Sequence, residues 1–94
     1  MARQLSLGAR FFRSCSSLGV RPGTPRAQLL KRALDELSEA EALPGPDDYR
    51  TGIPPVMTAW VRSIPRVSLW VYYSFDESKV VVSLVRDSPP EAIG

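Results

Sequence analysis

VSLWVYYSFDESKVVVSLV, residues 67–85 of the 94-residue chain, is the stretch that decides the fold class. β-branched and aromatic residues dominate its first half, and the odd positions from 67 to 75 are all apolar. That alternation is typical of a half-buried strand. The polar segment DESK at 76–79 has the length of a hairpin turn, and VVVSLV at 80–85 follows as a second strand. The sequence therefore predicts a C-terminal β-hairpin, which needs further elements to cover it because a two-stranded ribbon is not stable alone.

One amphipathic helix is predicted upstream of the hairpin, over residues 25–42. Thr24 is suited to the N-cap and Pro25 to the first helical position. An apolar stripe follows at helical spacing: Leu30, Ala33, Leu34, Leu37 and Ala40. The proline-rich residues 44–55 are predicted to be loop, and VMTAWV at 56–61 fits either a short strand or one helical turn. The predicted fold class is α+β, with the helix packed on a small antiparallel sheet built around the hairpin.

The N-terminal residues MARQLSLGARFFRSCSSLGV have the composition of a mitochondrial presequence. Arginine and serine are abundant and acidic residues are absent from positions 1–26, as in organellar transit peptides. On a helix the arginines fall on one arc and the apolar residues on the other. The residues expected to carry the targeting signal are Arg3, Arg10, Phe11, Phe12 and Arg13. We therefore expect residues 1–22 to be a disordered or amphipathic presequence, cleaved between positions 12 and 20, and residues 23–94 to be the domain; a disordered basic tail is the alternative.

Charge is distributed unevenly along the chain. Residues 1–26 carry five arginines and no acidic residue, whereas residues 27–94 carry seven basic and ten acidic side chains. Residues 27–94 therefore carry a net charge of −3, against +2 for the whole chain, which gives no electrostatic reason to expect nucleic-acid binding. The most apolar stretch, residues 67–85, is interrupted by charges in its turn, so no transmembrane segment is predicted.

The sequence offers few groups for catalysis or cofactor binding. The chain has no histidine, and its single cysteine, Cys15, lies in the predicted presequence. Zinc, haem and iron–sulfur sites of the common kinds, disulfides and Cys/His or Ser/His catalytic pairs are therefore excluded from the predicted domain. The carboxylate pair Asp47 and Asp48 lies between prolines and is interpreted as a solvated turn. We predict no cofactor, no metal site and no enzymatic activity.

Large aromatic residues suggest a protein-binding surface. If Leu69, Val71 and Tyr73 face the core, Trp70 and Tyr72 face the other way. The residues predicted to bind a partner are Trp60, Trp70 and Tyr72, although burial of all three under the helix and residues 56–64 is an equal alternative. The leading hypothesis is a mitochondrial matrix accessory or assembly protein that meets the import machinery and then binds a larger complex, such as the respiratory chain or the ribosome.

Two other functions stay open from the sequence. An RNA- or ribosome-associated factor could use Arg62, Arg66 and Arg86 beside the aromatic residues, and the chain could be a truncated product of a longer protein. The order of a helix ending in ALDEL, a loop, a strand, a charged turn and a valine-rich strand is similar to the C-terminal half of RelE/ParE-type toxins, over residues 27–86. Such toxins depend on the ribosome and contact RNA through a basic surface. Their leading strand is not found in the sequence, and none of their residue roles is transferred.

Overall fold

The computed structural model describes residues 2–53 and 57–89 and confirms an α+β fold. The described part contains two helices and a five-stranded sheet with strand order β1-β5-β4-β3-β2. Neighbouring strands are antiparallel except β1 and β5, which are parallel. The sheet is therefore mixed, and the prediction of an antiparallel sheet with one helix is wrong in these two details. The elements are β1 Gln4–Leu7, α1 Ala9–Ser17, α2 Pro25–Glu39, β2 Tyr49–Ile53, β3 Met57–Ile64, β4 Leu69–Phe75 and β5 Lys79–Arg86.

The main core lies between the helices and one face of the sheet. Helix α2 begins as predicted, because the Thr24 side chain accepts a hydrogen bond from the Ala27 amide at 3.2 Å and Pro25 occupies the first position. Its apolar stripe is buried at Leu30, Ala33, Leu34 and Leu37. The sheet contributes Ile64, Leu69, Val71, Tyr73, Val80, Val82 and Val85 to the same cluster. The alternation seen in the sequence of β4 therefore corresponds to the face that α2 covers.

Residues 4–17, assigned from the sequence to a presequence, form β1 and α1 in the structure. Strand β1 pairs with the first half of β5, with Leu7 opposite Val82. The Arg3 amide donates to the Ser38 carbonyl at 2.7 Å, which joins the start of β1 to the end of α2. The prediction of no leading strand is thus wrong, because the residues that stabilise β1 lie far away in sequence. Cleavage of this segment stays a prediction.

Helix α1 continues along β5 where β1 stops. Phe11 on α1 is 4% exposed and belongs to the main core, whereas its neighbour Phe12 is 58% exposed. Ser14 accepts a hydrogen bond from the Val85 amide at 3.0 Å and donates to the Phe11 carbonyl at 2.7 Å. An amide on the outer edge of β5 is therefore satisfied by a side chain of α1 and not by another strand.

The loop predicted at residues 44–55 contains strand β2, so that prediction is wrong in part. Its residues Tyr49–Ile53 pair with β3, Tyr49 opposite Val61 and Ile53 opposite Met57. Prolines at 54 and 55 follow β2 and do not interrupt it; residues 54–56 lie outside the described part. Residues 57–61 of the ambiguous segment belong to β3, which extends to Ile64. Pairing with β4 and β2 decides between strand and helix there, which the sequence periodicity alone could not do.

In the described part of the chain, neither helix combines the length and the apolar character needed to cross a membrane.

Candidate nucleic-acid interface

Arginines are more numerous at one end of the sheet than at the other, where Arg3 and Lys79 lie among acidic side chains. Ile64 at the end of β3 is opposite Leu69 at the start of β4, and Trp70 is opposite Arg86 at the end of β5, so these termini share one end. At the other end, the Arg3 side chain donates to the Asp76 carbonyl and joins the end of α2 to the β4–β5 turn. We define the basic end as Arg10, Arg13, Arg26, Arg32, Arg66 and Arg86. We define the acidic end as Glu39, Glu41, Asp76 and Glu77.

A groove of about 420 Å³ runs between α1 and the end of β5. We call it the α1–β5 groove. Arg10 and Arg13 of α1 line one side, and Arg86 of β5 lines the other. Asp87 contributes one carboxylate, and the rest of the lining is serine, leucine and valine. Three guanidinium groups against one carboxylate make the groove a positively charged concave surface, which attracts polyanions.

Two aromatic residues lie beside this groove on the sheet face that points away from α2. The Arg86 guanidinium lies over the Tyr72 ring, 5.6 Å from its centroid, in the geometry of a cation–π contact. Tyr72 is only 3% exposed because Val61 and Leu84 pack beside it, and Trp70 packs against this small cluster while remaining partly exposed. Trp70 and Tyr72 therefore face away from the main core, as the strand alternation predicts.

The three aromatic residues predicted to bind a partner are divided between the two faces of the sheet. Trp60 is in register with Tyr73 and packs against the main core. Trp70 and Tyr72 lie on the opposite face. Because a single flat partner cannot contact both faces of a sheet, the three residues do not form one surface. Their role in partner binding stays a prediction, with Trp70 and Tyr72 as the pair that lies together.

Arg62, one of the three arginines considered for RNA contact, is engaged by Asp48. Its Nε and Nη2 atoms donate to the two carboxylate oxygens at 2.8 and 2.9 Å. The Tyr73 hydroxyl also donates to this carboxylate, and the Gly45 amide donates to it at 2.9 Å. The Asp48 side chain is 2% exposed, so its interpretation as a solvated turn is wrong. A Cβ atom at residue 45 would lie 2.5 Å from the Arg62 Nη2 atom, which explains a glycine at this position.

This cluster, Gly45–Asp48–Arg62–Tyr73, joins the loop after α2 to the middle of the sheet. Burial raises the pKa of Asp48, but the hydrogen bonds from Arg62, Tyr73 and Gly45 outweigh it and hold the pKa below its ordinary value. Burial and the Asp48 carboxylate raise the pKa of Tyr73 above its ordinary value. The Asp48 hydrogen bond, first of all, raises the pKa of Arg62. All these shifts favour the charged pair and a neutral phenol, as a structural ion pair requires.

The five residues predicted to carry a targeting signal have three different environments. Arg3 lies at the acidic end, where its guanidinium donates to backbone carbonyls and lies 5.8 Å from the Phe75 ring centroid. Arg10 and Arg13 line the α1–β5 groove. Phe11 is buried and Phe12 is exposed. The amino-acid composition alone does not distinguish these residues. They acquire different environments only when β1 and α1 pack against β5.

Comparison of the chain with protein families, curated proteins and solved structures gave no match.

Proposed function

We propose that this domain binds RNA through the α1–β5 groove. The observation that carries the proposal is the convergence of Arg10, Arg13 and Arg86 on one concave surface beside Trp70 and Tyr72. Guanidinium groups bind phosphate through paired hydrogen bonds and stay charged at every physiological pH. A partly exposed aromatic ring next to them stacks on an unpaired base. Phosphate binding and stacking together recognise single-stranded RNA better than a protein surface.

The overall charge also supports this function once β1 and α1 are counted with the domain. The net charge of −3 applies to residues 27–94 and leaves out the five arginines of residues 1–26. With those residues in the sheet and core, the chain carries +2. The positive charge is also concentrated at the basic end, where it attracts a polyanion more strongly than the net charge indicates.

The resemblance to RelE/ParE-type toxins gives further support. The resemblance covers residues 27–86 by element order alone, and strand β1 lies before that segment. Because such toxins depend on the ribosome and contact RNA through a basic surface, we propose ribosomal or ribosome-bound RNA as the natural ligand. No residue role of those toxins is transferred, and no catalytic activity is proposed.

Mitochondrial location is a separate proposal that rests on the composition of residues 1–20. It concerns the unfolded chain, because burial of Phe11 and pairing of β1 remove part of the amphipathic segment from contact with a receptor. An accessory protein that docks through its aromatics has less support, because Trp60 lies on the face opposite Trp70 and Tyr72. If the chain is imported, RNA of the mitochondrial ribosome becomes the candidate ligand.

Binding of a labelled single-stranded RNA, measured by fluorescence anisotropy over a series of salt concentrations, tests the proposal. We expect binding to weaken steeply with salt, and each phosphate contact to contribute about 0.7 to the slope of log K against log salt. Arg13→Ala and Arg86→Ala should each weaken binding and lower that slope by about this amount. Lys79→Ala removes the same charge at the opposite end of β5 and is the matched control. No binding at low salt, or an equal loss in the Lys79→Ala variant, would contradict the proposal.

A further inference from the structure

A second concave site lies between α2 and the end of β3. This α2–β3 pocket has a volume of about 240 Å³. Its apolar walls come from Leu29 and Ala33 on α2 and from Ile64 and Pro65 at the end of β3. It lies on the helix-covered face of the sheet, whereas Trp70 and Tyr72 lie on the other. The walls fit a flat apolar body, such as a nucleobase.

The charged rim of the pocket is exposed to solvent at Arg32, Glu36 and Arg66. Arg32 and Glu36 are four positions apart on α2 but form no ion pair, since the described residues contain a single one, between Arg62 and Asp48. Arg62 uses Nε and Nη2 on Asp48, which leaves its Nη1 without a hydrogen-bond partner among the described residues. Glu36 of α2 and Arg62 of β3 both line the pocket. Arg66, at a positive φ of 80° between β3 and β4, completes the rim.

This combination of groups favours one class of ligand over a simple anion. The pocket combines three arginines with one carboxylate, so a ligand that carries N–H donors for Glu36 and a negative group for Arg32 and Arg66 pairs with more of these groups than a bare anion does. Guanine presents two adjacent donors, at N1 and N2, that match the two oxygens of one carboxylate. Its O6 and N7 atoms are the acceptors that arginine binds in pairs. Adenine and cytosine present one amino group each, and uracil a single N–H.

We propose that the α2–β3 pocket binds a guanine nucleotide. The Glu36 carboxylate accepts from the base, Arg62 Nη1 donates to it, and Arg32 and Arg66 bind the phosphate. The nucleotide has two sources, a free guanine mononucleotide or a guanosine within an RNA strand. Only the second source rests on the proposed function, because RNA held in the α1–β5 groove is then the strand that supplies the guanosine.

Titration of the full chain with GMP, AMP, CMP and UMP by calorimetry tests the pocket directly. We expect GMP to bind about tenfold more tightly than UMP. Glu36→Gln should abolish the preference, because an amide has one acceptor oxygen and adds donors that face the donors of guanine. Glu39→Gln makes the same change one turn later on α2, outside the lining of the pocket, and should leave the preference unchanged. Equal binding of the four nucleotides, or an unchanged preference in the Glu36→Gln variant, would overturn the proposal.

RNA binding by the same variants separates this proposal from the proposed function. Arg13→Ala should weaken RNA binding and leave GMP binding unchanged. If RNA binds and GMP does not, the pocket proposal is wrong and the α1–β5 groove remains. If GMP binds and RNA does not, the RNA function is wrong and the free nucleotide is the ligand. A guanosine-containing RNA that binds more tightly than a guanosine-free RNA of equal length, with Glu36→Gln removing the difference, identifies RNA as the source.

Discussion

The β4–β5 pair and the β1–α1 segment contribute to the same core in different ways. In the β4–β5 pair, the Asp76 carboxylate accepts from the amides of Ser78 and Lys79, so the turn between the strands is closed by its own residues. In the β1–α1 segment, the hydrogen bond between Ser14 and Val85 joins residues 71 positions apart. Both segments pack apolar side chains in the main core, but only in the β4–β5 turn are the interacting residues close together in sequence. An amphipathic segment is therefore equally consistent with a targeting peptide and with a folded element until its partner is known.

Deletion of residues 1–20 should have the largest effect, and it tests whether the β1–α1 segment is needed for the core. We expect the shortened chain to lose its cooperative unfolding transition, because Val80 and Val82 lose β1 and Val85 loses α1. A small domain has only about 5–15 kcal/mol of stability to lose. Thermal unfolding followed by near-UV circular dichroism, with the full chain as reference, measures the effect. A cooperative transition like that of the full chain would mean that the segment is dispensable and would strengthen the presequence prediction.

Phe11→Ala and Phe12→Ala form a matched pair with the next largest effect. Truncation of the buried Phe11 should lower the free energy of unfolding by about 4 kcal/mol, because its ring belongs to the main core. The same truncation of the exposed Phe12 should change it by less than about 0.5 kcal/mol. Chemical denaturation of the two variants gives both values. In a leader outside the fold, neither substitution would have an effect.

Asp48→Asn tests whether the β4–β5 pair also depends on a residue that is distant in sequence, because Tyr73 of β4 donates to Asp48. Loss of the charge leaves Arg62 half-buried without its partner, and should cost about 3 kcal/mol. The folded pKa of Asp48 is below its unfolded value of about 3.9. The contribution of Asp48 to the free energy of unfolding is therefore complete above the unfolded pKa. It is lost as the pH falls through the folded pKa. Denaturation midpoints between pH 2 and pH 7 should show this acid loss in the wild type.

The Asp48→Asn variant also supplies the control for this pH dependence, since the substitution removes the titrating group. We expect the variant to lack this part of the acid dependence while keeping that of the other carboxylates. If wild type and variant lose stability in parallel as the pH falls, the Asp48–Arg62 pair is not the source of the effect.

Ser14→Ala has the smallest expected effect. It leaves the Val85 amide without its side-chain acceptor, which should cost about 1 to 2 kcal/mol. Ser16 is exposed on the same helix, so Ser16→Ala serves as the matched control and should be close to neutral. Amide hydrogen exchange at Val85 adds a local measurement, with faster exchange expected in the Ser14→Ala variant alone. Equal protection in both variants would contradict the docking of α1 on β5.

The sequence predicts the parts of the fold whose determinants are local. The Thr24 cap, the Leu30–Leu37 stripe and the alternation of residues 67–75 each lie within a few positions, so α2, β4 and the class follow from them. The sequence does not predict strand β2 because Gly52 and the prolines on both sides of it are typical of loops, and pairing with β3 overrides that signal. Alternation along β4 predicts that Trp70 and Tyr72 share one face of the sheet. Trp60 lies on the opposite face because the pairing register of β3 and β4 places it opposite Tyr73.

The groove could not be predicted because its arginines come from opposite ends of the chain. Arg10 and Arg13 matched an organellar leader by composition, and Arg86 was counted with an acidic domain. The net charge of the domain depends on whether the arginines of residues 1–26 belong to it, which the sequence alone does not decide. Asp48 gives the same lesson on a smaller scale, because its buried contact with Arg62 spans 14 positions and a loop rich in prolines is typical of solvated chain.

The parallel pairing of β1 with β5 also sets an order of events during synthesis. Ser14 of α1 and Val85 of β5, which are joined by a hydrogen bond, are 71 positions apart in the sequence. At translation rates of about 5–20 residues per second, about 4 to 14 s pass between the synthesis of α1 and that of the end of β5. During that interval the arginines and both phenylalanines are uncovered and accessible to any chaperone or translocase. The time available for recognition of the N-terminal segment is therefore limited by completion of the last strand.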